Sequence, residues 1–176
     1  AWPYGTPSSK YAYKGGSPTS QFKEAIASAY GDRKGWGAAP KAGASCDVFV
    51  GTVVRSCGYD TSMPRGLGDQ VPYLQKSSKF TKLSVSKVSD FEPGDIIIYK
   101  NSNGTGHVNI YVELGGVGYF AEAHYGKYYG SLYRKAKNQS PSSHASYGVY
   151  RANSECIASY SRGDNSEQIE YLQNFL

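Results

Sequence analysis

The sequence predicts an α+β domain in which N-terminal helices pack on an antiparallel sheet of about five or six strands. Two observations carry this reading. Two apolar stripes at helical spacing lie before residue 60, and from about residue 80 the chain turns to short β-branched or aromatic segments separated by Gly, Asn and Pro. Helices first and strands second indicate α+β rather than an alternating parallel α/β order. At 176 residues the chain fits one domain of ordinary size with a fragment of a second.

Residues 1–20, rich in Pro, Gly, Ser and Tyr, read as an extended lead-in. Phe22, Ala25, Ile26 and Ala29 then fall at i, i+3, i+4 and i+7, a helical stripe that Gly31 ends. Residues 31–44 form a Gly/Pro loop carrying Trp36. Cys46, Phe49, Val50, Val53, Val54 and Cys57 repeat the helical spacing, predicting a helix with one buried face that begins near Ser45 and ends at Gly58. "GDQVPYLQKSS" is expected to be a short helix broken by Pro72. "FTKLSV", "GDIIIYK", "GHVNIYVEL", "GYFAEAHYG" and "YGVYRAN" are the expected strands. After Asn153 the pattern changes again: Ile169, Leu172 and Leu176 share one face of a helix that reaches the last residue. Residues 1–153 are therefore read as the domain and 154–176 as a linker and a single helix. The chain starts at Ala1 with no signal-peptide pattern and is read as a processed or excised piece.

Composition narrows the function. Lys plus Arg is 19 and Asp plus Glu is 14, for a net charge of +5. The surplus is scattered and mild. It suits an anionic surface without the basic-aromatic motif of a nucleic-acid binder. No apolar run approaches the roughly 20 residues of a bilayer span. Three cysteines without a CxxC pair argue against a zinc site of the usual spacing and against a disulfide framework. No metal or organic cofactor is implied.

Cys46 stands at the expected helix start, where unpaired N–H groups and the helix dipole favour a thiolate. The plainer alternative is a small buried core residue, which is the reading for Cys57. A nucleophilic cysteine needs a base. His107 opens a strand after a Gly-rich turn and shares a face with Asn109 and Tyr111. On the next strand Glu122 shares a face with Phe120 and His124, so either Glu122 or His124 could orient the His107 ring. Each of these alone is more often a solvated or structural group. The order Cys at a helix start, then His and a polar residue on successive strands, is more informative than any one of them. Trp36, Asp47 and Tyr125 are the candidates for the wall of a substrate groove.

These residues resemble the NlpC/P60 cysteine peptidases of bacterial cell walls, a papain-like fold. "SCDVFV" resembles the family's nucleophile motif at Cys46, Phe49 and Val50; "EPGDIIIY" resembles its Pro-Gly-Asp turn and strand; "GHVNIY" resembles its histidine strand; and "AEA" stands where the third catalytic residue, usually His, is found. The likeness covers roughly residues 20–152. Ser45 and Asp47 depart from the Asp and Ser that flank the family's cysteine, and Lys34 stands where the family has an upstream tyrosine. The tail "YSRGDNSEQIEYLQNFL" resembles the first helix of a peptidoglycan-binding repeat.

The resemblance implies a peptidoglycan hydrolase. Cys46 would be the nucleophile, His107 the base and Glu122 the third residue, with cleavage in the stem peptide between D-Glu and the diamino acid. The partner is bacterial peptidoglycan, the location the cell wall or extracellular space, and a monomer is favoured. A glutamate third residue also resembles the related CHAP amidases, which cut between muramic acid and L-Ala. Outside enzymes, the alternative is a cell-wall-binding module that grips glycan through its 17 tyrosines.

Overall fold

The computed structural model describes residues 20–32, 46–85, 87–100, 106–114, 117–123, 131–135 and 148–153. Three helices precede a six-stranded sheet: α1 Ser20–Tyr30, α2 Cys46–Ser56, α3 Leu67–Lys76, β1 Phe80–Leu83, β2 Ile96–Lys100, β3 Gly106–Leu114, β4 Val117–Ala123, β5 Ser131–Lys135 and β6 Gly148–Ala152. The strand order is β1-β6-β2-β3-β4-β5, and every neighbouring pair is antiparallel. The fold is thus α+β, with the last strand returning to the interior of the sheet.

Strand alternation divides the sheet into two faces. Val108, Ile110 and Val112 of β3 join Ile96, Ile98, Ala121, Ala123 and Tyr150 in the core beneath the helices. Tyr111, with Ile97, Tyr99, Phe120 and Val149, forms a smaller cluster on the other face, closed by Phe91. Phe91 stacks on Tyr111 at 5.4 Å between ring centres and meets Phe120 edge-on at the same distance.

α2 is buried on more than the one face expected. Gly51 and Thr52 are buried along with Val48 to Val50, Val53 and Val54. The helix lies between the sheet on one side and α1 and α3 on the other, and the stripe on α1 buries Ala25 and Ile26 against it. Gly51 is required there: a Cβ at that position would collide with the Tyr30 hydroxyl and lie 3.2 Å from both Gln70 Nε2 and the Pro64 carbonyl. Gly31 (φ 71°) and Gly58 (φ 73°) end the first two helices in left-handed conformations.

Two sequence expectations change. α3 runs through Pro72 without a break. Pro72 is exposed and lies on the solvent side, so the hydrogen bond it cannot donate is lost where water reaches the backbone. Tertiary bonds fix the helix instead: Gln70 Nε2 donates to the carbonyls of Asp47 (2.8 Å) and Pro64 (3.0 Å), and Leu74 is buried. The other change is β5, a strand the pattern did not announce. "SLYRK" is an edge strand paired to β4 with Phe120 opposite Arg134, and its polar residues mask the alternation.

The Pro93-Gly94-Asp95 turn acts as a clamp. Gly94 takes φ 97°, its N–H donates to the Tyr111 carbonyl at 2.8 Å, and Tyr111 N–H donates back to the Asp95 carbonyl at 2.9 Å. The buried Asp95 carboxylate accepts from Arg151 of β6 through Nε (2.7 Å) and a terminal nitrogen (2.8 Å). This two-pronged pair ties the start of β2 to β3 and β6.

Among the described residues no helix is long and apolar enough to cross a membrane. Trp36, His124, Tyr125 and the whole of 154–176 lie outside the described residues.

Candidate active site

β3 and β4 place His107 and Glu122 on the same sheet face, and their side chains meet. His107 Nε2 is 2.8 Å from Glu122 Oε2. Both are buried, Glu122 completely. Asn109 Nδ2, also from β3, donates to the same carboxylate oxygen over a longer 3.4 Å. Tyr99, cross-strand from His107 on β2, sets its ring edge-on at 5.2 Å. The imidazole is therefore held by a carboxylate on one strand and an aromatic ring on the other, with Nε2 turned to Glu122.

Cys46 is the first residue of α2. It packs against the core on the helix side of the sheet, whereas His107 lies on the Tyr99 side. The thiol meets β3 at the N–H of Val108, the peptide group that joins residues 107 and 108. The regular β3–β4 ladder ends at this point. Residues 106–110 of β3 pair with β2, but the β3–β4 ladder among the described residues runs only from Ile110↔Ala121 to Leu114↔Val117. Leu67, the first residue of α3, lies over the start of β3 so closely that a side chain on Gly106 would collide with it. The starts of α2, α3 and β3 and the end of β4 thus converge on one region.

The thiol does not have the acidity expected of a helix start. Burial pushes it up to about 11; the neighbouring Asp47 carboxylate pushes the same way, while the N–H groups of Val108, Asp47 and Cys46 pull it down. The first-turn amides act as expected but are outweighed by the loss of solvation. Cys57, at the far end of α2, donates its S–H to the Val54 carbonyl at 3.1 Å, and burial raises it too.

Asp47, expected in a groove wall, serves helix α3. Its Oδ2 accepts from the Leu67 N–H at 3.2 Å. That bond replaces the side-chain cap that Gly66 does not supply. Its Oδ1 is buried with no hydrogen-bond partner among the described residues. Asn109 is the residue of this region that sequence reasoning left out of the site. Its shared face with His107 was visible in the period-two pattern, but its bond to Glu122 depends on how the two strands are joined.

Among the described residues no three His, Cys, Asp or Glu side chains come together to hold a metal ion. No family model and no curated protein matches the chain.

Proposed function

We propose that this chain is a papain-like cysteine peptidase of the NlpC/P60 type that hydrolyses bacterial peptidoglycan in the wall or outside the cell. The observation that carries the reading is the buried His107–Glu122 pair (2.8 Å), reached from the same strand whose Val108 amide meets the thiol of the helix-start Cys46. The reading requires the thiol on the helix side and the imidazole on the other face to meet where the β3–β4 ladder ends.

Burial keeps the thiol protonated, so His107 takes its proton as sulfur attacks the stem-peptide carbonyl. The C–S bond forms, and the Cys46 N–H at the start of α2 helps hold the oxyanion. His107 then gives the proton to the departing amine as the C–N bond breaks. Water, deprotonated by His107, attacks the thioester; the acid is released and the thiol regains its proton. Glu122 fixes the ring and stabilises the imidazolium that forms twice in this cycle. The bond proposed is that between D-Glu and the diamino acid. The net charge of +5 aids approach to the anionic wall.

A second reading, a CHAP-type amidase, is favoured by one observation: the residue paired with His107 is a glutamate. Mass spectrometry of fragments released from purified peptidoglycan separates the two. New amines inside the stem peptide, absent with Cys46→Ala, support the endopeptidase, and intact stem peptides support the amidase. Wall binding without any released fragment would overturn both in favour of a binding module.

A further inference from the structure

We infer that Asn109 is a positioning residue that sets the basicity of His107 through Glu122. The inference rests on the peptidase reading only for the reaction it would tune; the coupling itself can be measured without substrate.

Asn109 is fully buried on β3, two residues from His107 and on the same face. Its Nδ2 reaches the Glu122 Oε2 that also faces His107 Nε2. Two N–H groups therefore converge on one oxygen of a carboxylate with no solvent exposure. A buried carboxylate is stabilised in its charged form by each such donor. The orientation of the amide follows from chemistry: turned over, its carbonyl oxygen would face an acceptor-only carboxylate.

The other half of the amide makes the placement unusual. Asn109 Oδ1 is buried without a hydrogen-bond partner among the described residues. A buried polar atom with no partner destabilises a fold, and an apolar side chain of similar shape would avoid that cost. Packing alone thus favours leucine at this position. What asparagine adds is the donor to Glu122. By drawing charge away from Oε2, that donor weakens the hold of Glu122 on the proton shared with His107. The groups that face the ring among the described residues include Glu122 from β4 and Tyr99 from β2. Asn109 acts on the first of these.

The test follows the His107 ring by NMR through a pH titration of the full 176-residue chain, as wild type, Asn109→Leu and Asn109→Ala. Without the amide donor, Glu122 holds the imidazolium more tightly, and the ring midpoint is expected to rise by about half a pH unit or more. Asn109→Leu is expected to stay folded, its lost donor to the buried carboxylate offset in part by removal of the unpartnered Oδ1. In a Glu122→Gln background the same substitution is expected to leave the midpoint where it was. An unmoved or lowered midpoint overturns the inference, as does an equal rise in the Glu122→Gln background. Unfolding of both variants also overturns it, because that assigns Asn109 to the core. Absence of peptidoglycan hydrolysis by the wild type would remove the peptidase reading and leave the ring titration to decide the role of Asn109.

Discussion

His107 Nε2 and Glu122 Oε2 lie 2.8 Å apart, from residues 15 apart in the chain, and neither side chain is open to water. A carboxylate in that position is tolerable only with its partners in place. His107→Ala takes one hydrogen-bond partner from the buried carboxylate and is expected to lose about 1.5–3 kcal/mol of stability, and about 10²–10⁴-fold in hydrolysis. Glu122→Gln keeps the shape and removes the charge. A hydrogen bond to a charged group is worth about 1.5–3 kcal/mol, so kcat should fall about 10- to 150-fold with KM little changed. Denaturant melts and steady-state kinetics on the same preparations check both. A Glu122→Gln protein with wild-type kcat would remove Glu122 from the mechanism.

The acidity of Cys46 gives a second prediction. With its thiol pushed up to about 11, the thiolate at pH 7 is about one part in ten thousand, against a few per cent for an ordinary cysteine. Alkylation of Cys46 in the free protein should be slow at neutral pH and accelerate up to about pH 11. Asp47→Asn removes the neighbouring charge and keeps an oxygen for the Leu67 N–H, so the alkylation midpoint should fall. Asp47→Ala should lower it as well but cost about 0.5–2 kcal/mol through loss of the α3 cap. Fast alkylation of the wild type at pH 6–7 would replace the proton transfer proposed above by a preformed thiolate–imidazolium pair.

Asp60 makes the fold sensitive to acid. Burial pushes its carboxyl up, but hydrogen bonds from the Tyr73 hydroxyl (2.7 Å), Lys79 Nζ (3.0 Å) and the Ser62 N–H (3.1 Å) outweigh it and leave it below the ordinary value. A carboxyl that is more acidic when folded stabilises the protein above its unfolded pKa of about 3.9. That contribution is lost as pH falls through the folded value. Asp60→Asn should therefore melt below the wild type at pH 6, and the gap should close as pH drops below about 4. A constant gap from pH 6 to pH 3 would show that the carboxylate charge is not what matters.

Gly51 and Tyr30 should behave as a coupled pair. A methyl group on Gly51 collides with the Tyr30 hydroxyl, and Gly51→Ala is expected to cost about 1–3 kcal/mol by overpacking. The Tyr30 hydroxyl has no hydrogen-bond partner among the described residues, and burial pushes it up to about 12. Its ring lies 4.4 Å from the Arg55 guanidinium and 4.3 Å from that of Arg65, contacts that phenylalanine preserves. Tyr30→Phe alone should be close to neutral, and the double variant should recover most of the Gly51→Ala loss. Additive losses in urea melts would place the strain elsewhere.

Much of the fold and part of the candidate site were legible in the sequence. The stripe from Cys46 to Cys57 marked α2 because a helix between layers must place its apolar residues at the helical period. The alternation of "GHVNIYVEL" and "YFAEA" put His107, Asn109 and Glu122 on faces that could meet, because successive side chains in a strand point opposite ways. Gly31 and Gly58 marked helix ends because few other residues adopt a positive φ without strain.

Relations between distant segments were decided by the tertiary structure alone. Pro72 sits inside a helix because Gln70 and Leu74 anchor that helix to its neighbours, which local propensity cannot register. Asp47 caps α3, whose first residue lies 20 positions further along the chain. The strand order places β6 between β1 and β2, and only then does Arg151 find Asp95. The Cys46 thiol shows the division most directly. The sequence places it in a helix's first turn, where the dipole favours the thiolate. Packing then buries it in part, and the lost hydration outweighs the dipole. A residue's position along an element is a local property, whereas the solvent left around it depends on every segment folded against it.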